Sequence, residues 1–114
     1  MPETPPTSGI TPGSLQWNPD LVFSALAEPV RRRLLIALAQ KNLQSATQLL
    51  PIGARTLDAT LKHLVTMRAA GMVVPSPDPL DGRRQLYSIS PAIKVLKSED
   101  RVHLDFGFCN LWLW

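Results

Sequence analysis

Two short stretches of this chain carry side chains suited to chemistry on a polyanion. The first holds Arg55, Thr56, Asp58, Ala59, Lys62 and His63 within nine positions. Arginine or lysine can hydrogen-bond guanine, a carboxylate can accept from cytosine, and an alanine methyl can pack on the thymine methyl. Arg55 and Lys62 are the candidates for guanine, Asp58 for cytosine and Ala59 for thymine, with Thr56 beside them. His63, one turn further on, is expected to meet phosphate, or else to be a plain surface residue. The second stretch is Arg83-Arg84, directly after the turn pair Asp81-Gly82. Two guanidinium groups at a hairpin tip suit the phosphate backbone or the minor groove, unless they merely flank a turn.

Nothing of equal weight points to catalysis. The chain has no Gly-rich phosphate loop, no acid pair in a plausible pocket and no metal-ligand cluster, so no enzyme, metal or cofactor is expected. Its two histidines, His63 and His103, fall in different elements. Cys109 is the single cysteine, which excludes an intrachain disulfide and suits a reducing cytosol. It lies among Phe106, Phe108 and Trp112, where a buried apolar thiol is expected. Twelve Lys and Arg against nine Asp and Glu give a net charge of +3, which permits phosphate binding without requiring it. No apolar run is long enough to span a membrane, and residues 1–13 lack the basic cluster and apolar core of a signal peptide. The expectation is a soluble, cytoplasmic protein.

The elements that would position these residues can be read from caps and periodicity. Residues 1–16, with Pro2, Pro5, Pro6 and Pro12, form an expected flexible tail. Asn18-Pro19-Asp20 opens a first helix. Pro29 opens a second, with Leu34, Leu35 and Leu38 inward and Arg31, Arg32 and Arg33 in its first turns. Positive charge there opposes the helix dipole; a solvated face and phosphate contact are equally open. Ser45 caps a short third helix expected to end at Pro51. A fourth spans about 55–70, with Leu57, Leu61, Leu64 and Met67 as its inward face and Gly71 as its C-terminal cap. Strands follow at 72–75 and 85–90, with a proline-rich tip at 76–84 turning at Asp81-Gly82. A short helix is expected at 91–101 and a third strand within 102–114. The fold class is α+β, mainly α with a small hairpin: a winged helix-turn-helix over 17–91, with an aromatic segment at 92–114 for core covering or dimerisation.

The residues also resemble a family. The run from Ala25 through Pro29 to Leu35, then Lys62-His63-Leu64 with Ala70-Gly71-Met72-Val73, then Asp81-Gly82-Arg83-Arg84 with Tyr87, is similar to arsenical-resistance-type (ArsR-like) winged-helix repressors. The resemblance spans about 20–90. It implies a DNA-binding transcriptional repressor acting as a homodimer, with helix 55–70 in the major groove and wing 76–84 on the backbone or minor groove. Thiol metal sensors of that family carry a Cys-x-Cys pair on the third helix. Residues 45–50 have no thiol here, so metal sensing of that kind is not expected. Two other functions fit the same residues. One is a protein-interaction module without DNA binding; the other is a small-molecule-responsive regulator using the aromatic segment with Trp112 and Trp114.

Overall fold

A computed structural model describes residues 17–114. The expected tail at 1–16 lies outside them. Four helices come first: α1 (Pro19–Leu26), α2 (Pro29–Gln40), α3 (Ala46–Gly53) and α4 (Leu57–Ala69). A two-stranded hairpin follows, β1 (Val73–Asp78) with β2 (Asp81–Ile89). The chain ends in a three-stranded antiparallel sheet of β3 (Lys94–Lys97), β4 (Val102–Asp105) and β5 (Asn110–Leu113), with β4 central.

Local chemistry accounts for most helix ends. The Asn18 side chain accepts from the amides of Asp20 and Leu21 at 3.0 and 3.4 Å. Ser45 and Gln48 form a reciprocal capping box at the start of α3. Gly71, at φ 82°, closes α4 with both bonds of a Schellman motif: its amide donates to the Arg68 carbonyl and that of Met72 to the Met67 carbonyl. The α2 arginines show why positive charge stands at that helix start. Arg31 Nε donates to the Ala25 carbonyl at 2.7 Å, and an Arg32 guanidinium nitrogen to the Leu26 carbonyl at 2.6 Å. They satisfy carbonyls that the end of α1 leaves unpaired, a use the sequence did not suggest, whereas Arg33 stays exposed as a solvated face would have it.

Five sequence expectations need correction. Helix α3 does not stop at Pro51 but runs through it to Gly53, because proline φ is helical and only one amide bond is lost. A Cβ at Gly53 would lie 2.7 Å from Val30 Cγ1 of α2, so a larger residue there would force one of the two to shift. The inward face of α4 is Thr60, Leu64 and Met67, all fully buried, whereas Leu57 and Leu61 are 42% and 38% exposed. Thr60 can occupy a core position because its hydroxyl donates to the Thr56 carbonyl at 3.0 Å. The hairpin reverses at Pro79-Leu80, and Asp81-Gly82 lies within β2. Residues 91–101 form a turn and β3 rather than a helix, and 102–114 contribute two strands rather than one.

Prolines within β1 are tolerated by their phase. Tyr87 exchanges both its backbone bonds with Gln44 on the far side of β2. Pro75, opposite Tyr87, therefore sits where its nitrogen points away from the ladder, and Pro77 opposite Gln85 shares that phase. The two halves share one core. Leu34, Leu35, Leu38, Leu49, Leu64 and Met67 pack in the same buried cluster as Val102, Leu104 and Phe106 of the terminal sheet. Trp17 seals one side against Phe106 and Phe108 at ring-centroid distances of 5.3 and 6.3 Å.

Candidate nucleic-acid interface

Helices α3 and α4 join through residues 54–56, and the cap at Thr56 sets where the outward face of α4 begins. Thr56 Oγ1 accepts from the Ala59 amide at 3.1 Å, so its hydroxyl is engaged in the fold. Arg55 lies just ahead of the cap and is exposed. Asp58 and Lys62, one turn apart, form an ion pair of 3.3 Å with both side chains about four-fifths exposed. An acidic residue ahead of a basic one at this spacing complements the helix dipole but holds neither side chain firmly. Ala59 is half-buried, so its methyl has limited reach.

His63 is placed differently from Lys62. It is half-buried, with Nδ1 3.2 Å from an Arg31 guanidinium nitrogen. Arg31 also holds the end of α1, so His63 belongs to a polar joint between α1, α2 and α4. The exposed flank of α4 is carried by Asp58 and Lys62, with Leu57, Leu61 and Val65 beside them. Those apolar neighbours were not singled out from the sequence as surface; their spacing of four was the only signal for a shared stripe.

The two wing arginines also differ. The Arg83 side chain is 94% exposed, and among the described residues its only ionic partner is Asp81, 3.4 Å away in its own strand. Arg84 turns inward: its Nε lies 3.6 Å from the mostly buried Asp78 carboxylate, and a second guanidinium nitrogen donates to Ser45 Oγ at 3.2 Å. It thus ties the wing to the cap of α3. A groove of about 280 Å³ runs between these elements, lined by Ala46, Thr47, Leu57, Leu61, Arg84 and Tyr87. The structure therefore brings the wing arginines and the start of α4 to one side of the molecule.

This architecture has a solved counterpart. The structure of BpsR from Bordetella bronchiseptica, a protein whose DNA binding is regulated by 6-hydroxynicotinic acid, matches with a TM-score of 0.53. The match covers 77% of this chain and 69% of that one at 17% sequence identity. The fold is a winged helix-turn-helix. Helices α3 and α4 form the helix-turn-helix, and β1–β2 is the wing. No protein-family model matches the chain, and no curated protein matches it.

Other features of the winged helix-turn-helix bear on chemistry. Among the described residues, no group of three or more His, Cys, Asp or Glu could hold a metal ion. Also among them, no helix is long and apolar enough to cross a membrane. Cys109 is half-buried in the terminal sheet, and its thiol is pushed above the ordinary cysteine range by burial and then by the nearby Asp105 carboxylate.

Proposed function

We propose that this protein is a sequence-specific, double-stranded-DNA-binding transcriptional regulator, a cytoplasmic ArsR-like repressor acting as a homodimer. Helix α4 enters the major groove and the wing reaches the backbone or the minor groove. One observation carries this reading: the start of α4, with Arg55, Asp58 and Lys62 exposed, stands uncovered by the rest of the described subunit and on the same side as the free Arg83. Arg55 and Lys62 are the candidates for guanine edges, Asp58 for cytosine and Ala59 for a thymine methyl. Thr56, His63 and Arg84 act at this surface chiefly by fixing its shape. The regulated DNA binding of the structurally similar BpsR supports this reading. A dyad-related pair would engage half-sites about one helical turn, ~34 Å, apart. The reading assigns no catalytic step to the chain.

A second reading adds a small-molecule signal. A groove of about 460 Å³ lies between the end of α2, the root of the wing and β3, lined by Leu38, Asn42, Ile89, Ile93, Val95 and Lys97. Its size is that of a ligand site, and BpsR responds to a small acid. The aromatic tail residues Trp112 and Trp114 are not among its walls.

The test is a mobility-shift titration against duplex DNA at two salt concentrations. Affinity should fall as salt rises, with a log–log slope of about −0.9 per phosphate neutralised. Arg83→Ala should weaken binding to every sequence and flatten the slope by about 1. Lys62→Ala should weaken it with folding unchanged. Absence of salt-dependent duplex binding overturns the DNA reading and leaves a protein-interaction module.

A further inference from the structure

The terminal sheet has two edges, and they are finished in opposite ways. Strand β3 ends in a lysine on both sides, Lys94 and Lys97, a charge pattern that discourages a further strand from adding. Strand β5 reads Asn-Leu-Trp-Leu, with no charge and no proline, and the next residue is Trp114. Among the described residues no strand pairs with its outer side.

The register fixes which backbone groups face outward. The Phe106 amide donates to the Cys109 carbonyl at 2.9 Å, so 106 and 109 form a bonded pair. Bonded and non-bonded pairs alternate along an antiparallel ladder. Leu104 with Leu111 and Val102 with Leu113 are then bonded, whereas Asp105 with Asn110 and His103 with Trp112 are not. The amides and carbonyls of Asn110 and Trp112 therefore point away from β4. The side chain of Trp112 does not cover them. Its ring stacks flat on His103 of β4, with centroids 4.5 Å apart and planes 2° apart, back over the sheet. Arg101 lies over the Trp114 ring at 5.6 Å in the same sense.

We infer that β5 is a subunit interface: it pairs antiparallel with β5 of a second copy of this chain, about a two-fold axis at Trp112, giving a continuous six-stranded sheet. In that register residue 112 faces its own equivalent and 110 faces 114 of the partner copy. Every outward amide at 110, 112 and 114 then meets an outward carbonyl, which no shift by one residue achieves. Leu111 faces Leu113 of the other copy on the inner face, and no charge opposes a like charge. The uncharged strand, with leucine opposite leucine on the inner face and no like charges across the axis, is what favours a second copy over a charged peptide. The inference rests on the proposed reading only for its dimer, and it is tested without DNA, so its failure leaves duplex binding standing.

The test is sedimentation equilibrium of the full chain across micromolar concentrations. Wild type is expected to be a dimer. Trp112→Lys places like charges across the axis and should raise the dimer dissociation constant about fivefold. Its helical circular dichroism should be unchanged, because Trp112 is 49% exposed. Should that variant unfold, a second measurement decides. Trp112→Cys in a Cys109→Ser background should form an intersubunit disulfide, since Cα atoms of a bonded pair lie about 5.5 Å apart, within disulfide range. Leu96→Cys, on the lysine-flanked edge, should not. A monomeric wild type overturns the inference, as does a Trp112→Lys variant that dimerises as tightly, or cross-linking at 96 rather than 112.

Discussion

The helix-turn-helix with its wing and the terminal sheet solve the same problem differently. In the first, surface chemistry and fold are interleaved. Arg84 braces the wing, His63 sits in a joint held by Arg31, and Thr56 caps a helix, which leaves Arg55, the Asp58–Lys62 pair and Arg83 exposed on that side. In the second, the surface is almost without function in the fold. The inner face of β4 and β5 fills the core with Val102, Leu104 and Leu113, and the outer face and free edge carry His103, Trp112 and Trp114. A charged side chain in the first region therefore says little about binding until its partners are known. In the second, an uncovered side chain says more, because among the described residues the outer face meets only its own sheet neighbours, as Trp112 meets His103.

The largest test of this contrast concerns the core the two regions share. Leu64 on α4 and Leu104 on β4 are both fully buried in one cluster. Leu64→Ala and Leu104→Ala should each cost roughly 2–5 kcal/mol, lowering a single melting transition by about 10 °C or more. Two separate transitions, or a Leu104→Ala effect confined to part of the signal, would show the sheet to be an appendage. Leu61→Ala, at a partly exposed position, should cost far less than Leu64→Ala. Equal losses would undo the assigned phase of α4.

That phase also shows what the sequence disclosed and what it did not. Asn18, Ser45 and Gly71 act through bonds within a few residues, so the helix ends were legible. The stripe on α4 was misplaced because leucines at 57, 61 and 64 fit helical spacing as well as the true face does. Thr60 is a polar residue whose fitness for the core depends on a bond to its own helix. The sheet was hardest to read. Strand β3 is stabilised by β4, and β4 by β5, and no local feature of 91–101 favours a strand until its partners are placed. For the candidate interface, residue types at 55–62 and 83–84 marked stretches that the fold brings to one side of the molecule. The division of labour between Arg83 and Arg84 depends on Asp78 and Ser45, the latter 39 residues away in sequence.

A smaller effect separates those two arginines. Arg84→Ala leaves a mostly buried Asp78 carboxylate without its cation and removes the bond to Ser45 Oγ. A loss of about 1 kcal/mol is expected, discounted because the guanidinium itself is half exposed. Arg83→Ala should leave stability within about 0.5 kcal/mol. Chemical denaturation of the two variants reads the difference. A stability loss for Arg83→Ala equal to that for Arg84→Ala would remove the distinction between a bracing and a free arginine.

The smallest effect lies in the terminal sheet. Burial and the Asp105 charge both favour the protonated thiol of Cys109, so at pH 8 less thiolate is present than on an unperturbed cysteine. Because the thiolate is the reactive form, alkylation by iodoacetamide should be slower than for a free thiol of the same concentration. It should reach its plateau rate only at higher pH. Asp105→Asn removes the charge but not the burial, so it should move the profile part of the way back, and less than full exposure in denaturant does. A wild-type rate equal to that of the free thiol would mean that the hairpin at 106–109 opens readily. The shared core would then stop short of the end of the sheet.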